Sequence, residues 1–408
     1  MSKPREAPPR FTCVTPAIAS SSTEARENHK KAEVKDAKLL TADGCDAFMI
    51  LGSMKKNDNE WEDLSMRKFL TVAAISFMAM NGMQARVATA NELTFVGWGG
   101  ASQEMFTKAV IEPFSQRTGV AVKQDVMDGN YAKIKAMVDA DRVTWDVFHS
   151  DPFFPVGSCG TYAEKIDTSV VDVSHLPQKM VSECAVPIFQ YAFLLVYNKD
   201  KYGANPPKTW VDFFDTEKFP GKRAMYNAAW AGTLEVPLLA DGVAADKLFP
   251  LDYDRAFKKL DTLGDNLVFF DTGAQMQEMM ERAEVDMVVS WSGRAYNAVK
   301  NGAKFVPVWK QPLATYDVLM VPKGSKNRDN AMKLIAEAVS PAAQSRIPDF
   351  VGYAPVNDQA APKVDDVLKQ FLITTPGHAD ELIVVDQAWY AKNQEEATKR
   401  FTDWISSK

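Results

Sequence analysis

Six residues suited to holding a cation fall just past short apolar runs: Trp98, Asp151, Trp230, Glu235, Trp291 and Asp317. Indole faces attract an ammonium through the ring quadrupole, and a desolvated carboxylate adds charge-assisted hydrogen bonds. Gathered at one place, such groups would hold an amine and break no bond. Catalytic patterns do not accompany them. The histidines, His29, His149, His175 and His378, form no HxxH or HExxH spacing, and neither a GxSxG elbow nor a GxxxxGK[ST] loop occurs. No enzyme activity, cofactor or metal is therefore expected. Plainer uses exist for the same residues, since Trp291 can fill a core and Glu235 can serve the dipole of the helix it opens.

These side chains matter only if the backbone brings them together. Residues 284–297, EVDMVVSWSGRAYN, read as an apolar strand over 285–289 that stops at Ser290 and Trp291 and turns through Ser292 and Gly293 into a helix. Residues 93–96 form a similar strand that ends in Gly97, Trp98, Gly99 and Gly100. The helix after it, 103–118, has its apolar positions at Met105, Phe106, Val110, Ile111 and Phe114. GWGGA lacks the GxGxxG spacing of a dinucleotide site. Strands over 120–126 and 145–148 flank a helix over 131–140, and the second of them ends at His149, Ser150 and Asp151. Such alternation predicts right-handed βαβ units on a parallel sheet, with ligands held outside the carboxyl ends of the strands.

The run 187–197 reads as a strand and as the first crossing between two domains. Helices are expected over 210–214, 232–239, 254–263, 273–283, 328–339 and 364–372, with a turn and strand over 221–225. Strands over 305–308 and 316–321 complete the pattern, the latter as the return crossing. The expected architecture is α/β, two lobes built from 91–197 with part of 318–408 and from 198–317. A two-segment hinge would lie near 197–200 and 315–320.

A chain of 408 residues can bury two cores, and a net charge of −6 argues against a nucleic-acid partner. Residues 1–65, rich in Pro, Ser and Ala, are expected to be disordered. From Met66 the character changes: Arg67 and Lys68 precede an apolar run over 69–80, and Ala88-Thr89-Ala90 supplies a small-residue cleavage pattern. This predicts a Sec signal peptide over 66–90, export to the periplasm, and translation that begins at Met66, with 1–65 a gene-start error. In an oxidising compartment Cys159 and Cys184, the two cysteines after that segment, are expected to pair, two buried thiols being the alternative.

The order of motifs carries a resemblance. A strand, WGG and a helix, then PPKTW, FPGKR, WSGRA, YDVLMVPKGSKN and VGYAPVN together resemble periplasmic solute-binding proteins of the spermidine/putrescine group, over essentially all of 91–408. The resemblance implies a bilobal type II periplasmic-binding fold, a monomer that closes on a polyamine and delivers it to an inner-membrane ABC permease. By position it implies Trp98 as the first-lobe aromatic, Ser150 as a hydroxyl at the end of the third strand, Trp291 as the stacking aromatic of the second lobe, and Glu235 and Asp317 as amine-binding acids. Tyr353, in VGYAPVN, joins Asp151 and Trp230 among the candidates.

Four positions depart from the pattern. Gly232 stands where the group's strong polyamine binders carry a second acid, Thr315 and Gly100 stand where aromatics are expected, and Arg294 puts a positive charge just after WSG. An inward Arg294 would repel a diamine and welcome a carboxylate; an outward one would do neither. Putrescine or spermidine is thus the leading expectation. The alternatives are an amine that carries a carboxylate, such as 4-aminobutyrate or an opine-like compound, and a ferric ion held by Tyr296, Tyr316 and Tyr353.

Overall fold

The computed structural model describes residues 92–127, 129 and 131–408. The expectations for 1–65, for the signal peptide 66–90 and for a start at Met66 lie outside the described residues. Strand β1 (Glu92–Gly97) leads into α1, in which Gly100–Phe106 continues through a π-helical turn, Thr107–Ile111, into Glu112–Thr118. Then come β2 (Ala121–Val126), α2 (Ala132–Asp139), β3 (Val147–Ser150) and α3 (Phe153–Ser158). Strand β1 lies between β2 and β3 and is parallel to both, as alternation of strand and helix requires. Phe95, Phe106, Phe114 and Phe148 fill the core beneath.

A second βαβ set follows the long strand β4 (Val186–Asn198). It comprises α4 (Trp210–Phe214), β5 (Arg223–Tyr226), α5 (Glu235–Ala240), α6 (Tyr253–Asp261), β6 (Leu267–Phe270), α7 (Gly273–Glu281), β7 (Met287–Trp291) and α8 (Ser292–Lys300). Strand β5 is parallel to β6 and β7. Strand β8 (Phe305–Met320) then returns antiparallel to β4. The sheet order is β2-β1-β3-β8-β4-β7-β5-β6, with the short β9 (Ala354–Pro355) on β4 and β10 (Ile383–Val384) on β8. The sheet is therefore mixed, because the two long strands that cross between the parallel sets run against their neighbours.

Expected as two short strands, 305–308 and 316–321 belong to one strand of 16 residues. The polar Lys310-Gln311-Pro312 breaks the apolar pattern, yet β4 pairs on both sides of it. Phe193 faces Leu313 and Leu195 faces Val308, so the residues between are looped out, with Gln311 at φ 49°. Trp210 Nε1 ties this bulge down by donating to the Gln311 carbonyl at 2.9 Å.

Two of the motifs prove structural. In PPKTW, Thr209 and Asp212 form a reciprocal capping box that starts α4 and sets Trp210 in the core. In FPGKR, Arg223 is wholly buried and donates to the carbonyls of Phe213, Gly221, Asp215 and Phe219. Helices α9 (Arg328–Val339) and α10 (Pro341–Phe350) return to the first parallel set, where Gln344 Nε2 donates to Ile188 O and Arg346 to Ala109 O. Of the expected helix 364–372 only the turn Asp366–Lys369 forms. The chain ends in α11 (Gln387–Ser406), and Cys159 is bonded to Cys184.

Candidate functional site

One cavity opens where the strands of both parallel sets stop. Trp98 follows β1, Asp151 follows β3, Tyr226 ends β5, Asp271 to Gly273 link β6 to α7, and Trp291 ends β7; all of them line it. Tyr191 and Phe193 reach it from β4, Asp317 from β8, and Trp230, Arg294 and Tyr353 from the segments around. Its free space, measured as room for the centre of a water, is about 60 Å³. A single water needs roughly 10–15 Å³ by that measure, so the cavity suits a ligand of a few heavy atoms.

Seven of the nine expected residues meet here: Trp98, Asp151, Trp230, Trp291, Arg294, Asp317 and Tyr353. Ser150 and Glu235 do not. Ser150 is fully buried, and its hydroxyl donates to the Asp151 carbonyl at 2.8 Å, so it shapes the turn that presents the acid. Glu235 is buried at the start of α5, where it accepts from the Tyr390 hydroxyl of α11 at 2.6 Å. Burial raises its pKa, while the Tyr390 bond and the backbone N–H groups of Glu235, Leu234 and Gly232 pull it back. Its other oxygen, Oε2, is buried without a partner, so Glu235 ties the start of α5 to α11 and does not reach the cavity. Of the three tyrosines weighed for a ferric site, Tyr353 alone lines the cavity.

Two acids are held ready by hydrogen bonds from buried side chains. Asp317 accepts from the Tyr191 hydroxyl at 2.8 Å and lies 2.7 Å from His149 Nε2. Asp151 accepts from the Tyr131 hydroxyl at 2.8 Å. Burial first, and the charge of Asp317 second, push the Asp151 carboxyl up to about 7, against the opposing Tyr131 bond. No lysine or arginine hydrogen-bonds to either acid among the described residues, so an ammonium entering the cavity would relieve their mutual repulsion.

Arg294 supplies the opposite charge. Its side chain is 3% exposed and turned inward, which removes the outward alternative. Nη2 donates to the Gly99 carbonyl at 3.0 Å, and Nη1 is buried without a partner. Burial lowers its pKa, and the Tyr353 hydroxyl and Asp317 oppose that shift. Trp98 Nε1 and Ser102 Oγ are likewise buried and unpartnered in the same lining. Buried donors are normally satisfied, so this group asks for an acceptor. Around it the rings pack edge to face, Trp291 to Tyr226 at 5.1 Å, Trp291 to Phe193 at 5.8 Å and Trp230 to Tyr226 at 5.9 Å.

Sequence reasoning missed Ser102, Tyr191, Phe193, Tyr226 and Asp271. Tyr226 and Asp271 obey the strand-end rule that found the others; reading 267–270 as a strand would have located Asp271. Tyr191 and Phe193 sit inside an aromatic-rich strand, where nothing local separates a cavity face from a core face.

Residues 109–371 match the family model for bacterial extracellular solute-binding proteins. The chain belongs to that family. As a solute-binding protein it takes up a small molecule and passes it to an ABC permease, and its relatives are binding proteins with no enzyme among those described here. It is 32% identical to the gamma-aminobutyric acid-binding protein of Pseudomonas aeruginosa, over 81% of this chain and 96% of that one. It is 25% identical to the spermidine/putrescine-binding periplasmic protein of Escherichia coli, over 71% and 84%. Among solved structures, the Atu4243-GABA receptor is 39% identical with a TM-score of 0.70, over 77% of this chain and 97% of that one. AgtB from A. tumefaciens R10 in complex with agropinic acid is 31% identical with a TM-score of 0.71, over 77% and 98%. The likeness is thus to a bilobal fold of periplasmic binding proteins.

Proposed function

We propose that this solute-binding protein receives a small amino acid whose ammonium and carboxylate lie at opposite ends, 4-aminobutyrate or a close homologue, in the periplasm. The observation that carries the reading is Arg294 turned into the same cavity as Asp151 and Asp317. A guanidinium with a free N–H edge takes a carboxylate, and Trp98 Nε1 and Ser102 Oγ add donors beside it. The acid pair takes the ammonium, and the rings of Trp291, Tyr226 and Phe193 cover the methylenes between.

Relatives named for gamma-aminobutyric acid support this choice over the polyamine first expected, and so does the buried positive charge, which a diamine would have to face. For the hinge we retain β4 and β8 near 197–200 and 315–320, with lobes of 91–197 plus part of 318–408 and of 198–317.

A thermal-shift panel of 4-aminobutyrate, putrescine, spermidine and butyrate tests the reading. A ligand at a hundred times its Kd stabilises by about 2.7 kcal/mol. Stabilisation by 4-aminobutyrate and none by putrescine is expected; the reverse would restore the diamine.

A further inference from the structure

The guanidinium of Arg294 sits in a slot made by two glycines from opposite halves of the molecule. A Cβ built on Gly100, in the turn after β1, would lie 2.8 Å from Arg294 Nη1 and 3.3 Å from the Ala274 methyl of α7. A Cβ on Gly273, at the start of α7, would lie 2.8 Å from Arg294 Nε and 3.2 Å from its Cζ. Cβ atoms do not come within 3.0 Å of an atom elsewhere in the chain, so a side chain at either glycine would push the mobile end of Arg294 out of the place it occupies. Gly99, beside the first of them, supplies the carbonyl that accepts from Nη2, 195 residues away in sequence. Gly99 and Gly100 both have positive φ, 67° and 55°, which turns the backbone so that this carbonyl can face α8.

From these contacts we infer that Gly100 is a specificity-determining residue: its missing side chain lets Arg294 latch the second half to the first, and only a ligand with an anionic end completes the latch. The inference rests on the proposed amino-acid ligand and extends it from contact to closure. When the halves meet, Arg294 loses water and gains the Gly99 carbonyl with the Tyr353 hydroxyl nearby, while Nη1 has no hydrogen-bond partner. A buried, half-satisfied guanidinium disfavours the closed form, and a carboxylate on Nη1 reverses that balance. An amine without a carboxylate can reach Asp151 and Asp317, yet it leaves the latch unpaired and gives closure no advantage. Discrimination then comes from the differential stability of two conformations as well as from the contact itself.

The test uses small-angle X-ray scattering to follow compaction and calorimetry to measure affinity. The proteins are wild type, Gly100→Asn and Ala274→Leu, each with 4-aminobutyrate, n-butylamine and butyrate. Asparagine tolerates the left-handed backbone at position 100 and so preserves the fold while adding a side chain. Ala274→Leu crowds the same contact from an exposed position on the other half, so the outcome does not depend on one variant folding. Wild type is expected to compact with 4-aminobutyrate and not with n-butylamine. Both variants, with ligand-free melting temperatures near that of wild type, are expected to bind 4-aminobutyrate roughly tenfold or more weakly and to stay expanded. Wild-type affinity and compaction in both variants would overturn the latch and leave the ligand assignment intact. Failure of wild type to bind 4-aminobutyrate at all would instead reject the ligand assignment on which the latch depends.

Discussion

Asp151 shows how a single carboxyl can report on the ligand. Its pKa, raised from an ordinary 3.8 to about 7, means that near neutrality the acid pair holds a proton that an incoming ammonium must displace. The sign for stability follows. Because the folded state keeps this proton above the unfolded pKa, Asp151 favours folding at low pH, and that contribution fades as pH rises from about 4 through 7. For binding the sign is opposite: affinity for an amine should rise with pH up to about 7, by at most about tenfold per unit. Calorimetry at pH 6.5 in two buffers of different ionisation enthalpy should register proton release on binding. Asp151→Asn should abolish both the release and the slope; an unchanged slope would remove Asp151 from the ammonium end. The groups facing it are Tyr131 and Asp317, with Tyr191 and His149 behind Asp317, and no lysine or arginine donates a hydrogen bond to either acid among the described residues.

Elements position the site through contacts that never reach it. Strand β5 delivers Tyr226 to the cavity from one end, and at the other end Arg223 gathers four main-chain carbonyls of α4 and the turn after it. Two of these bonds, to Phe213 and Phe219, are buried, and a carbonyl buried without a donor costs about 1–3 kcal/mol. Arg223→Met should therefore destabilise the protein by about 3 kcal/mol in chemical denaturation, with ligand affinity of the remaining folded protein near wild type. The strand ends, the short helix over 210–214 and the glycine turn after Trp98 were legible because each rests on neighbours in sequence. The single long β8 was not, since its continuity depends on β4, more than a hundred residues earlier. Nor was the inward course of Glu235, fixed by a tyrosine 155 residues later.

At the scale of the molecule, one sheet and one helix tie the two parallel sets of strands together. Helix α11 packs against the first half through Tyr390 on Phe153 and through the Lys135–Glu395 ion pair. Farther along, Trp404 stacks on Phe257 at 5.1 Å and donates to Asp261 in the second half. With β4 and β8 shared by both parallel sets and the buried residues in one hydrophobic cluster, a single calorimetric unfolding transition is expected. Trp404→Ala should move that whole transition down, by about 2 kcal/mol given its partial exposure, rather than split it. Two resolved transitions would indicate that each half folds on its own.

The sequence by itself determined the class of molecule: strand ends that carry tryptophan and carboxylate, alternation that demands parallel βαβ sets, and motif order that resembles the solute-binding family. All of these are local or periodic signals, set by turn chemistry and side-chain spacing. Only the tertiary structure decided what the site asks of its ligand. Whether Arg294 faced water or the cavity, and whether Glu235 served the ligand or the helix, depended on which distant chain segment stood opposite. Gly99 and Tyr390 answer those two questions, and neither is near in sequence to the residue it turns.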